Sequence, residues 1–92
     1  MDFASALREQ IVTRKVRGLR ARRLLALIDG PKTRRRERVL TRLERHATAE
    51  LVSMGRMTAA QAAGAIDWSA IDWNKVFDAI LKILLAILPF LL

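Results

Sequence analysis

One histidine, no cysteine and no tyrosine leave this 92-residue chain with few groups for covalent or acid–base chemistry. His46 is the side chain whose ordinary pKa lies nearest neutrality, but a general base needs a nucleophile beside it and none is arranged around this position. Asp67 and Asp72 are the nearest approach to a carboxylate pair. Each stands one residue before a tryptophan, where the more economical role is to cap a helix start. Gly18, Gly30, Gly55 and Gly64 are isolated, so no glycine-rich phosphate loop exists. With no cysteine there is no disulfide and no thiolate metal site. The sequence therefore predicts a non-enzymatic protein with no metal or cofactor.

The residues whose number and spacing do suggest chemistry are arginines. Guanidinium is a planar fork that binds phosphate through two parallel hydrogen bonds, whereas lysine acts as a point charge. Upstream of Met57 there are 13 Arg and 2 Lys against 6 acids, and from Met57 onward 2 Lys against 3 Asp. The whole net charge of +8 thus arises in the N-terminal part. Such asymmetry points to nucleic acid or an anionic membrane surface. The residues expected to contact a polyanion are Arg14, Arg17, Arg20, Arg22, Arg23, Arg34, Arg35, Arg36, Arg38, Arg42 and Arg45. A basic helix is often only a solvated face. Here 14 basic residues against 4 acids between Arg8 and Arg45 would repel one another unless counter-charge is supplied. Contact with phosphates rather than base edges is expected, because no zinc-finger, zipper or ribonucleoprotein pattern is present.

Helices must position these groups. Leu7, Ile11, Val12, Val16, Leu19 and Leu27 recur at helical spacing and predict a helix over 2–29, ended by Gly30-Pro31. Leu40, Leu43, Ala47, Leu51 and Met54 predict a second over 33–54, with Arg34, Arg38, Arg42 and Arg45 on another face and Arg35 and Arg36 widening it. Thr58 to Gln61 has the form of a capping box and starts a short Ala-rich helix to about residue 66. An echo, Ala-Ile-Asp-Trp twice between 65 and 73, reads as a bend with Asp72 capping a last helix over 73–88, where Pro89 ends or kinks it. Asp78 and Lys82 form an i,i+4 pair on that helix. The chain divides into a basic helical region (1–56), a short helix and Trp-containing bend (57–72) and a hydrophobic end (73–92).

That end is wholly apolar after Lys82. Residues 76–92 would reach about 25 Å as a helix, short of a hydrocarbon core of about 30 Å. An interfacial or partly inserted helix therefore fits better than a clean span. Its expected anchor residues are Trp68, Trp73, Phe77, Ile80, Leu81, Ile83, Leu84, Ile87, Leu88 and Phe90. Cover would come from a protein partner or further copies of the chain, from a membrane, or from the first two helices, whose interrupted stripes supply only part of it. The expected architecture is all-α: two Arg-rich amphipathic helices, a short Ala-rich helix and a hydrophobic C-terminal helix, completed by an oligomer, a partner or a membrane.

The order of parts, Arg-rich from Arg8 to Arg45 and apolar from Val76 to Leu92, resembles that of small basic bacteriophage virion proteins. The resemblance is one of layout over the whole chain and involves no specific motif. It implies a structural component in the virion interior or on its inner surface, touching nucleic acid on one side and capsid or lipid on the other. Two other roles fit the sequence: a membrane-active lysis or toxin-like protein at the cytoplasmic face of a membrane, and an assembly subunit whose tails share one core.

Overall fold

A computed structural model describes all 92 residues and is entirely helical. α1 (Phe3–Thr13), α2 (Leu19–Asp29), α3 (Arg34–Ser53), α4 (Ala59–Ala63) and α5 (Trp73–Leu91) follow in order, with a 3-10 turn at Trp68–Ala70 before α5. Asp2 starts α1 by accepting the Ser5 N–H at 2.8 Å. The Ser5 side chain and N–H hold the Asp2 carboxyl below its ordinary pKa. Thr33 caps α3 in the same way. The capping box of α4 forms as its spacing requires, with the Gln61 N–H donating to Thr58 and the Thr58 N–H to Gln61.

The single helix expected over 2–29 is two helices. α1 closes in a Schellman arrangement: the Lys15 N–H reaches the Val12 carbonyl and the Val16 N–H the Ile11 carbonyl, both at 3.1 Å. Lys15 takes the left-handed position at φ 54°, and Gly18 follows at φ 112° before α2 begins. The break also has a long-range consequence. A continuous helix of that length would reach about 42 Å, whereas the longest dimension of the molecule is 31 Å. Breaking at residues 14–18 lets two short amphipathic helices pack where one long one would overhang.

α5 is the centre of the packing. Trp73, Val76, Phe77, Ile80, Leu84 and Leu88 are buried along its inner face, against α3 over most of its length and against α2 on another side. Phe3, Leu7 and Ile11 of α1, Leu24 and Ile28 of α2, and Leu40, Leu43 and Leu51 of α3 join the same core. The three sequence regions thus share one interior. No polar or charged side chain is buried in it, and no buried side-chain nitrogen or oxygen lacks a partner.

Of the covers open to the tail, the chain's own helices supply that of its inner face. Of the expected anchor residues, Trp68, Trp73, Phe77, Ile80, Leu84 and Leu88 lie inside the chain's own core, and Leu81, Ile83 and Ile87 are half-buried beside it. Phe90 alone is fully outside, 88% exposed. The cover comes from α2 and α3 together with the Trp68 turn, which the split of the first helix makes possible. α5 also continues through Pro89 to Leu91, with the Leu92 N–H bonded to the Leu88 carbonyl at 3.1 Å. Proline removes one ladder bond there but does not end the helix. α4 stops at Ala63, short of residue 66, because Gly64 turns extended. Asp72 makes no capping bond; its carboxylate lies 3.9 Å from Lys75. The Asp78–Lys82 pair does not form, both side chains being left to solvent. No helix is long and apolar enough to cross a membrane.

Candidate polyanion interface

The helical phase of α3 decides which arginines can act together. At about 100° per residue, Arg34, Arg35, Arg38, Arg42 and Arg45 fall within an arc of roughly 100°. All five are exposed, and none is in an ion pair. The acids of this helix lie elsewhere. Glu37 pairs with Arg36, Glu44 accepts the Trp68 indole N–H at 2.7 Å on the core side, and Glu50 lies roughly 60° outside the arc. A row of guanidiniums with no carboxylate among them therefore runs from Arg34 to Arg45, over about 17 Å of helix.

Arg35, Arg38 and Arg42 surround a shallow concavity of about 230 Å³ floored by Val39 and Leu91. That is below the roughly 300–1,000 Å³ of pockets that enclose organic ligands. Three cationic forks over so small an apolar floor suit a single anionic group such as a phosphate. Arg35 also donates to the Leu92 carbonyl, which ties the start of α3 to the end of α5.

α2 adds Arg20, Arg22 and Arg23, with Arg17 in the segment before it. All four are exposed and without a protein partner. They spread around the solvent side of a short helix. Arg22 lies roughly 160° from Arg20, so they extend the positive field without forming a second row.

Two of the expected polyanion contacts are instead structural. The Arg36 side chain is 12% exposed. It donates to the Leu27 carbonyl at 3.1 Å and the Ile28 carbonyl at 2.6 Å, and so satisfies the open C-terminus of α2. Its phase, about 200° from Arg34, puts it in line with Leu43 and Ala47. Arg14 lies with its guanidinium 4.8 Å from the centre of the Phe77 ring and donates to Asn74 at 2.6 Å, joining the end of α1 to α5. Replacing Arg36 by alanine should lower stability by about 1.5–3 kcal/mol, the usual value of hydrogen bonds to a charged group. Polyanion affinity at temperatures where the variant is folded should hardly change. Denaturant melts and binding isotherms on one preparation would check both parts.

A further concavity, about 580 Å³, lies between α1 and the α2–α3 turn. All of its charged groups except Lys32 are already engaged: Asp2 caps α1, Arg8 pairs with Asp29 at 2.7 Å, Arg36 pairs with Glu37, and Glu44 accepts from Trp68. No nucleophile is paired with a base there. His46 is exposed on α3, apart from that cavity. Asp67 caps the 3-10 turn, as its position suggested, and the Ser69 hydroxyl and N–H hold its carboxyl below the ordinary aspartate range.

No family model, curated protein or solved structure matches this chain.

Proposed function

We propose that this chain is a non-enzymatic structural protein that grips the phosphate backbone of nucleic acid through the arginine row of α3. The exposed arginines of α2 strengthen the attraction. The observation that carries the reading is the segregation on α3: five exposed arginines on one arc, with the acids of the same helix, Glu37, Glu44 and Glu50, outside that arc by phase. A solvated surface has no need of such sorting, and the row would be self-repulsive without an anionic partner. Arginines directed at phosphates carry no base code, so recognition is independent of sequence.

A setting inside a virion, with many copies lying against a packaged genome, agrees with the layout of basic and apolar parts described above. The membrane-active reading relied on a free apolar tail, and the inner face of α5 is occupied by the core. Phosphate binding therefore comes first. The role of an assembly subunit with a shared tail core loses support for the same reason.

Fluorescence anisotropy with two labelled duplexes of unrelated sequence tests the reading. Both should bind at about 0.1 M salt, with affinities differing by far less than the thousandfold or more that separates specific from non-specific sites. Absence of binding to either duplex at about 0.05 M salt, where backbone attraction is strong, would overturn it.

A further inference from the structure

Most exposed large hydrophobic side chains on this molecule, such as Val12, Leu19 and Met54, stand singly. The far end of α5 is different. Phe90 is 88% and Leu92 45% exposed, and Pro89 between Leu88 and Phe90 is exposed as well. The same end of the molecule holds the α2–α3 turn. Leu92 lines one depression with Gly30, Pro31, Thr33 and Arg35, and Arg35 donates to its carbonyl. Lys32 and Arg34, both exposed, flank this turn in the chain, and no acid lines the depression. An exposed aromatic ring next to a proline in the chain, at the end of the molecule that also carries these cations, supplies both elements of an interfacial anchor. The ring and aliphatic groups suit the headgroup–acyl boundary, and the cations suit lipid phosphates.

We infer that this end docks on the surface of an anionic lipid bilayer. Phe90 enters the boundary region, and Lys32, Arg34 and Arg35 lie on the headgroups. The core need not open, since Phe90 is outside it and the buried side chains of α5 stay in place. The contact is peripheral, in keeping with the absence of any helix able to span a membrane. A second copy of the chain is the poorer occupant. A twofold contact through Phe90 would bring Lys32, Arg34 and Arg35 of both copies together, while the acids nearest them, Asp29 and Glu37, are already paired with Arg8 and Arg36. Arg34 and Arg35 also belong to the arginine row proposed for nucleic acid, so the two surfaces meet at the start of α3, and Phe90 is the residue that only the bilayer would use.

Vesicle sedimentation with the full chain tests this, using phosphatidylcholine alone and phosphatidylcholine with about one quarter phosphatidylserine. The parent should bind the anionic vesicles at least about tenfold more tightly than the neutral ones. Phe90→Ala should lose about ten- to a hundredfold in vesicle affinity, the effect of withholding one aromatic side chain from an apolar phase. Its helical circular dichroism should be unchanged, and its duplex affinity should stay within about twofold, because Phe90 belongs neither to the core nor to the arginine row. Lys32→Glu with Arg34→Glu should abolish the preference for anionic vesicles. Equal vesicle binding by parent and Phe90→Ala overturns the inference. So does absence of vesicle binding together with a dimer, seen by sedimentation equilibrium, that Phe90→Ala dissociates.

Discussion

Trp68→Ala should cost about 4–6 kcal/mol of stability. Trp68 is 1% exposed although it lies in a three-residue turn. Its ring meets Phe3 of α1 edge-on at 4.9 Å and Trp73 of α5 at 6.1 Å. Its indole N–H donates to Glu44 of α3 at 2.7 Å, and its carbonyl accepts the Trp73 indole N–H at 2.9 Å. Three helices are thus joined through one side chain. Truncating a buried tryptophan costs about 3–5 kcal/mol, and the lost aromatic pairs add about 0.5–1.5. A domain of this size holds about 5–14 kcal/mol in total, so the loss takes about a third of the margin at the upper end of that range and all of it at the lower. Trp68→Phe keeps the edge contact and should cost only about 1–2 kcal/mol, chiefly the hydrogen bond and some volume. Urea melts of the three proteins would display the order. A Trp68→Ala variant within about 1 kcal/mol of the parent would mean that the core does not run through this turn.

The second large effect is on binding. Arg38→Gln, Arg42→Gln and Arg45→Gln together should weaken duplex affinity by two to three orders of magnitude at about 0.1 M salt. Each phosphate contact contributes about 0.9 to the slope of log K against log salt, or roughly eightfold in affinity between 1 M and 0.1 M. Three contacts therefore give about 500-fold. Glutamine is a good helix former and the side chains replaced are exposed, so α3 should persist. The informative control removes the same charge elsewhere: Arg56→Gln, Lys75→Gln and Lys82→Gln, all at exposed positions off this row. That variant should lose less than about tenfold, because only general attraction is reduced. Equal losses in the two triple variants would make net charge, and not the α3 row, the agent of binding.

Much of α3 was legible because every signal in it agrees. The stripe through Leu40, Leu43, Ala47 and Leu51 and Gly55 at φ 72° just past the end belong to local periods and local chemistry, while the capping role of Thr33 comes from the structure. The break between α1 and α2 was not legible in the same way. Gly18 is ordinarily a tolerable cost inside a helix, and nothing in the identity of Lys15 announces a left-handed residue. What the break achieves shows only in the dimensions of the finished molecule. The burial of α5 is only one of three covers that the sequence allows, for a related reason. One long basic helix leaves its flanks open, whereas two short helices and a tryptophan turn close them.

The arginine row itself could be found from spacing, and α3 carries it where the spacing put it. Arg36 was grouped with the row by adjacency in sequence, although its phase relative to Leu43 already directed it inward. Arg14 gave no such signal, since its partners Asn74 and Phe77 are some sixty residues away in the chain.

The most direct test of the central claim is the salt dependence of duplex binding, measured side by side for the parent and the Arg38, Arg42, Arg45 triple variant. The parent should give a log–log slope of about −4 or steeper, and the variant should be shallower by about 2.7, three contacts at about 0.9 each. A parent slope near zero, or a variant slope equal to that of the parent, would contradict the assignment of the α3 row as the phosphate-gripping surface.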